Sequence, residues 1–318
     1  MGTTKRTLGK SDLQVSPIAF GGNVFGWTLD QQQSFRILDA FVAAGFNFID
    51  TADTYSTWVP GNQGGESETI IGQWLNQRGK RDDLVIATKL GGDMGNGKKG
   101  LSASYIAKAV DASLKRLGTD YIDLYQSHYD DPETPVAETM EAFNALIRSG
   151  KVRHIGASNL SADRIVQSNE FAATNRLQGY ISLQPLYNLY DRQKFETEYL
   201  PTAEAEGLAV LTYYALASGF LSGKYRGEAD FGKSPRGGGM KQYLNERGFR
   251  ILKALDRVSA ETGAPAAQLA LAWQLHKPAV TAPIASATSA QQLQDLVAAA
   301  SLDLTSEQLA LLDEASAY

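Results

Sequence analysis

Leu84-Val85-Ile86-Ala87-Thr88-Lys89 is a short apolar run that ends on an ammonium group. A run this short, with polar residues on both sides, reads as a buried strand. The same pattern recurs on either side of it. Phe46-Asn47-Phe48-Ile49 leads into Asp50, with Tyr55 just beyond, and Tyr121-Ile122-Asp123-Leu124-Tyr125 leads towards His128. Helical patterns separate these runs. The clearest spans Ser102 to Leu117, with Ser102 as its cap, Ile106, Val110, Leu114 and Leu117 on one face, and Gly118 after it.

The alternation extends outward in both directions. Upstream, Thr7-Leu8-Gly9 and Leu13-Gln14-Val15 read as a hairpin. Pro17-Ile18-Ala19-Phe20 is strand one, and helix one covers Gln31 to Ala44 with Phe35, Leu38 and Val42 on one face. A second helix starts near Glu66. Downstream come helix four (136–148), strand five (152–157), a helix from Ser161, strand six (180–183), a helix at about 195–206 and strand seven (208–213). A Gly-rich stretch, 218–239, precedes two helices at about 241–261 and 265–276. Strand eight (280–283), helix eight (290–300) and a capped terminal helix follow. Eight strand–helix units with no linker and no break in composition favour a closed (β/α)₈ TIM barrel of the α/β class, with an N-terminal β-hairpin and extra C-terminal helices. The expectation is one domain over residues 1–318.

Composition limits the function. The chain is 43% apolar with a net charge of −5 and no cysteine. The apolar content is ample for a large core, and the missing cysteines exclude disulfides, thiolate metal sites and Cys nucleophiles. Basic residues adjoin only in short pairs, among them Lys80-Arg81 and Lys98-Lys99 in loops and Lys5-Arg6 near the start, with no longer basic block. That pattern argues against nucleic acid or a membrane as partner. The polar start, Met1 to Lys10, carries no signal-peptide pattern and no stretch is long enough to span a bilayer, so a cytoplasmic protein is expected, as a monomer or small homo-oligomer.

In a closed barrel the strands are parallel, and the face at their C-terminal ends is where barrel enzymes keep their chemistry. Asp50, Tyr55, Lys89 and His128 would then meet at one mouth. A lysine at the end of a buried strand needs a carboxylate partner or must give up its charge, and Asp50 on the neighbouring strand is that partner. A phenol, with pKa about 10, is a reluctant acid at neutral pH. A nearby ammonium is expected to lower that value. His128 can hydrogen-bond a substrate carbonyl. Such a site polarises a carbonyl and delivers a proton to it. It has no nucleophile, so the electron pair must come from elsewhere, and hydride from a nicotinamide is the natural source.

These residues resemble the catalytic tetrad of the aldo-keto reductases: Asp50-x4-Tyr55, Lys89 in Ala87-Thr88-Lys89, and His128 in Gln126-Ser127-His128. The likeness covers essentially the whole chain. It includes Gly21-Gly22-Asn23, Gly150-Lys151-Val152-Arg153-His154-Ile155-Gly156, Gln184-Pro185-Leu186-Tyr187-Asn188 and Gly219-Phe220-Leu221-Ser222-Gly223-Lys224-Tyr225. It resembles a bacterial-type member, similar to the potassium-channel β-subunit-like and general-stress-protein-like branches. The resemblance implies reduction of aldehyde or ketone carbonyls with Tyr55 as general acid. It implies that Ser158, Asn159 and Gln184 hold the nicotinamide carboxamide and that Tyr213 stacks on the ring. Gly22 and Asn23 join the cofactor set, while Leu216, Ser218, Gly219, Leu221 and Lys224 wrap the pyrophosphate. Trp27, Trp58 and Tyr129 wall the pocket for a small carbonyl substrate.

The cofactor implied is NADP(H), with NAD(H) as the rival. Relatives that prefer NADP carry a basic residue after strand eight, whereas Pro283 to Leu296 here contains no Lys or Arg. Ser286, Thr288, Gln292 and Asp295 are the candidates in that segment, and hydroxyls do not offset the charge of a phosphate, about −1.5 to −2. Tyr214 stands where many relatives have a small Ser. Two alternative functions remain: an NAD-linked sugar or alcohol dehydrogenase on the same tetrad, and a non-catalytic cofactor-sensing subunit. Gly95-Asn96-Gly97-Lys98-Lys99-Gly100 matches a dinucleotide fingerprint in spelling only, because it lies too far beyond the strand ending at Lys89.

Overall fold

The structure, a computed structural model, describes residues 4–95 and 97–318. Its chain order begins with a hairpin, β1 (Arg6–Thr7) and β2 (Gln14–Val15), then β3 (Ala19–Gly21), α1 (Gln31–Ala43) and β4 (Phe48–Asp50). Next come α2 (Glu66–Arg78), β5 (Val85–Leu90), α3 (Ala103–Leu117), β6 (Ile122–Ser127), α4 (Val136–Arg148), β7 (Val152–Ser158) and α5 (Ala162–Thr174). The remainder is β8 (Ser182–Gln184), α6 (Leu200–Glu206), β9 (Ala209–Thr212), α7 (Glu246–Thr262), α8 (Ala266–Leu275), β10 (Val280–Ala285), α9 (Ala290–Ala299) and α10 (Ser306–Ala315). Strands β3 to β10 pair in parallel, in chain order, and close into a barrel. The expected (β/α)₈ TIM barrel with its hairpin and extra C-terminal helices is what the chain forms.

Local chemistry explains most boundaries. Ser102 accepts the Tyr105 N–H to start α3, and Gly118 ends it in the left-handed region at φ 61. Differences from expectation have local causes too. The core face of α1 centres on Ile37, Leu38 and Phe41, leaving Phe35 and Val42 half-buried at its flanks. Helix α7 starts at Glu246, because Asn245 caps it and Gly237–Tyr243 forms a 3₁₀ segment instead. The helix before β9 opens with a π-helical turn, Phe195–Tyr199.

There are two cores. The larger lies between the barrel and its helices. The smaller fills the barrel: Ala19, Phe48, Val85, Ala87, Leu124 and Leu211 from the strands, with Leu8, Leu13 and Val15 of the hairpin packed in from below. Arg153 ties that end together, pairing with Asp12 of the hairpin turn and with buried Asp123. With the bottom plugged and the interior filled, the open end of the barrel is the C-terminal one. Among the described residues, no helix is long and apolar enough to cross a membrane.

Candidate active site

Side chains two apart on a strand share a face. Polar residues continue the apolar interior upward: Asp50 follows Phe48, Lys89 follows Ala87, Gln126 and then His128 follow Leu124, and Tyr213 follows Leu211. Register sets their heights. Lys89 pairs with Gln126, and Asp50 pairs with Ala87, one inward position below Lys89. The lysine therefore reaches down to the carboxylate.

Both groups of this pair are fully buried, with Lys89 Nζ 2.7 Å from Asp50 Oδ2. The ammonium also donates to the Thr51 carbonyl at 2.8 Å and to the Tyr55 hydroxyl at 3.0 Å. Its three protons are thus all committed. The phenol oxygen accepts from Lys89, and the phenol's own proton has only a long contact, 3.5 Å, with Asp50 Oδ2. Burial disfavours the Lys89 ammonium, but Asp50 and Tyr55 more than offset this and its pKa is raised.

Tyr55 departs from expectation. Burial outweighs the pull of Lys89, and the phenol is pushed up to about 12 rather than lowered. It is therefore a proton-bearing donor throughout the neutral range. His128 is held well below its ordinary range, first by burial and then by Lys89, so its ring is neutral. Its Nδ1 lies 3.4 Å from Thr54 Oγ1.

Gln126 was not singled out in the sequence. It donates to Asp50 Oδ1 at 3.1 Å, and Gln184 donates to the same oxygen at 3.0 Å and to Gln126 Oε1 at 3.1 Å. The signal was its place two residues before His128, on the inward face. Room for Gln126 comes from Gly156, its register partner on β7. A Cβ there would collide with Ser182 Oγ and crowd Gln126 Cγ at 3.2 Å. The Gln184 amide nitrogen is thus engaged inside the barrel, and only its oxygen remains to meet a carboxamide. Ser158 donates to the Gln184 carbonyl at 2.9 Å. Asn159, at φ 54, donates to the His128 carbonyl at 2.8 Å and accepts from the Tyr213 hydroxyl at 3.0 Å.

Beyond β9 the chain turns sharply. Tyr214, Ala217, Ser218 and Gly219 all have positive φ, from 48 to 103. The Leu216 carbonyl collects the N–H groups of Gly219 and Leu221, so these two amides shape the turn. The Lys224 ammonium sits beside it, 3.8 Å from where a Gly219 Cβ would lie. A strained turn flanked by a cation is a fitting cradle for a pyrophosphate.

The segment after β10 is largely self-satisfied. Ser286 donates to the Gly21 carbonyl, the Gln292 oxygen folds back on Thr288, and Asp295 accepts from Gln268 and Gln291. A cation approaches this segment from the Gly-rich stretch. Arg236 lies over the Trp27 ring at 4.9 Å, and its Nη2 reaches the Asn23 amide oxygen at 2.9 Å, while the Asn23 nitrogen meets Ser286 Oγ at 2.6 Å. Arg236 had no sequence signal, since its stretch has neither periodicity nor a motif spacing.

Trp27, Trp58 and Tyr129 gather beside Tyr55 and His128. Trp58 packs edge-on to Trp27 at 5.6 Å and to Tyr55 at 6.1 Å, and Tyr129 stacks on His128 at 4.6 Å. Trp58 and Tyr129 are each 49% exposed and Tyr214 is 51% exposed, so the mouth is rimmed by uncovered rings. The polar loop after Lys89 leads to α3 only at Ala103 and makes no strand–turn–helix unit; Asn96 within it lies outside the described residues.

Asp53 is a second surprise. It is buried, 1% exposed, and neither carboxylate oxygen has a hydrogen-bond partner. Burial first, then Glu68, raises its pKa well above the usual carboxylate range. The folded state therefore binds this proton more tightly than the unfolded chain. Stability is lost as pH rises from about 4 towards the folded pKa, by up to about 1.4 kcal/mol per pH unit. Asp53→Asn is expected to melt higher than wild type at pH 8, with the gap shrinking towards pH 5. Thermal melts across that range check this, and a gap that grows on acidification would refute it.

A barrel mouth that gathers a phenol, an ammonium, a carboxylate and a neutral imidazole inside an aromatic rim is that of an oxidoreductase acting on carbonyl groups. The chain belongs to the aldo/keto reductase family, whose model matches residues 17–317, and is an NAD(P)H-dependent enzyme. It is 37% identical over 315 residues to the oxidoreductase YrpG of Bacillus subtilis, covering 96% of this chain and 94% of the relative. It is 36% identical to a probable voltage-gated potassium channel subunit beta of Oryza sativa, over 91% of this chain and 88% of the other. It is 32% identical to norsolorinic acid reductase of Aspergillus flavus, over 96% of this chain and 79% of that one.

Proposed function

We propose that this protein reduces aldehyde or ketone carbonyls to alcohols with NADPH, using Tyr55 as general acid. The observation that carries this reading is the direction of one hydrogen bond: Lys89 donates to the phenol oxygen. The phenol proton, held only by a 3.5 Å contact with Asp50 Oδ2, is then available to a carbonyl oxygen in the mouth, and Lys89 stabilises the phenolate that forms as the proton leaves. Neutral His128 steers the carbonyl oxygen as a hydrogen-bond donor. Asp50, held by Gln126 and Gln184, keeps the ammonium charged and aimed. When bound, the nicotinamide supplies the hydride. Tyr213 would cover one face of its ring, and Ser158, Asn159 and Gln184 would hold its carboxamide. The aromatic rim favours flat or amphipathic carbonyl compounds.

Support for NADPH comes from Arg236, whose guanidinium beside Asn23 and Ser286 offers the bidentate charge a 2′-phosphate needs. Arg236→Gln is expected to weaken NADPH binding by about tenfold or more, the worth of a charge-assisted pair, and to leave NADH binding nearly unchanged. Fluorescence titration with both cofactors tests this. Equal losses for the two would show that Arg236 does not discriminate. NAD-linked dehydrogenation is the second reading, favoured by the cation-free segment 283–296 and by the carboxylate of Asp295 within it. Tighter binding of NADH than NADPH by wild type would select that reading.

A further inference from the structure

A cavity of about 390 Å³ opens beside the barrel mouth, between the ends of β8 and β9 and the turn Phe195–Tyr199. None of Asp50, Tyr55, Lys89, His128, Trp27, Trp58 or Tyr129 lines it. It shares only Asn159 and Tyr213 with the residues assigned above to the cofactor. It is therefore a separate site with one common wall.

Its inner end is apolar, made by buried Leu183 and Phe195, with the ring of Tyr213 alongside. Its outer part carries charge, and the charges differ in how far they are satisfied. Arg192 is tied to Glu196 at 2.8 Å and to Asp313 at 3.2 Å. Asp191 accepts from Asn188 at 3.0 Å and from Tyr243 at 3.4 Å. Two cations are left over. Among the described residues Lys194 has no ion-pair partner, and its ammonium lies 5.6 Å from the centre of the Tyr199 ring. Arg247 likewise has no ion-pair partner among the described residues; its Nη2 donates to the Ser316 carbonyl at 2.7 Å and its guanidinium lies over the Tyr190 ring at 4.9 Å. An apolar slot whose lining includes an ammonium and a guanidinium without ion-pair partners suits one ligand chemistry: a flat apolar body bearing a single carboxylate.

We propose that this cavity binds small organic carboxylates, with the ring against Tyr213 and the carboxylate between Arg247 and Lys194, and that occupancy alters cofactor affinity through Tyr213 and Asn159. The coupling, though not the site, rests on the cofactor reading given above.

Benzoate is the probe. Calorimetric titration of the whole protein, without and with NADPH, should show saturable binding that Lys194→Gln and Arg247→Gln each weaken at least fivefold. Lys194 is exposed, so its variant tests the site even if Arg247→Gln folds poorly. Benzoate at saturation should shift the NADPH Kd, and NADPH should shift the benzoate Kd by the same factor. Steady-state inhibition should be non-competitive towards an aromatic aldehyde. Absence of saturable binding, binding that neither variant weakens, or simple competition with the aldehyde would each overturn the site. Saturable binding lost in the variants but with no reciprocal shift would keep the site and overturn the coupling.

Discussion

Lys89→Met is expected to abolish turnover and to cost about 3–5 kcal/mol of stability, the usual penalty for removing one partner of a buried ion pair. The reason lies in what remains. Asp50 would keep Gln126 and Gln184 but lose the one cation that touches it among the described residues, with no solvent to replace it. Either an unpaired charge stays buried or the carboxylate takes up a proton, and both are unfavourable. Denaturant unfolding measures the loss. A companion variant separates stability from chemistry: adding Asp50→Leu to Lys89→Met removes the stranded charge. Most of the stability should return, because apolar replacement of a buried pair is often neutral. Turnover should not return, since no ammonium remains beside Tyr55. Stability lost equally in both variants would mean that the pair matters for packing rather than charge.

Tyr55→Phe should lower kcat by about 10²–10⁴-fold, the range for loss of a positioned general acid, and leave cofactor affinity unchanged. Its ring packs against Trp58 and His128, contacts that phenylalanine keeps, so stability should change little. The pH dependence sharpens this prediction. Because burial pushes the phenol to about 12, Tyr55 keeps its proton well above neutrality. Because His128 is held well below its ordinary range, it does not charge near neutrality either. The kcat for reduction should then be flat from about pH 7 to pH 9, with neither group titrating. A variant retaining more than about a tenth of wild-type kcat would remove Tyr55 from the role of acid. A wild-type kcat that falls steadily over that pH window would show that the bound cofactor overrides the effect of burial on the phenol.

Much of the site was legible one strand at a time. Asp50, Lys89 and His128 could be found because each lies where an apolar run stops, and a parallel barrel brings all such ends to one face. Helix α3 could be delimited from Ser102 and Gly118, because capping is a local matter of side chain and φ. Gln126 was readable in principle by the same alternation that points His128 inward. Its partner, Asp50, was not, because the choice among neighbouring strands depends on register and shear.

The net behaviour of Tyr55 lay beyond the sequence. The lysine that lowers a phenol's pKa can be seen in the chain, but the burial that raises it depends on how completely the strands and loops close around the ring. Arg236 was hidden for another reason. It comes from a Gly-rich stretch whose backbone has no period, and only the folded path of that stretch carries its guanidinium to Trp27 and Asn23.

The sequence by itself determined the eight strand–helix units, the face on which the polar strand ends meet, and the Asp50–Lys89 pairing, since periodicity and buried charge act over a few residues or between adjacent strands. Only the tertiary structure decided that Tyr55 keeps its proton, that Asp53 is buried without a partner, which cation stands by Asn23, and that a cavity lies behind Tyr213. Each of these depends on desolvation or on contacts between segments far apart in the chain, where no local pattern encodes the distance.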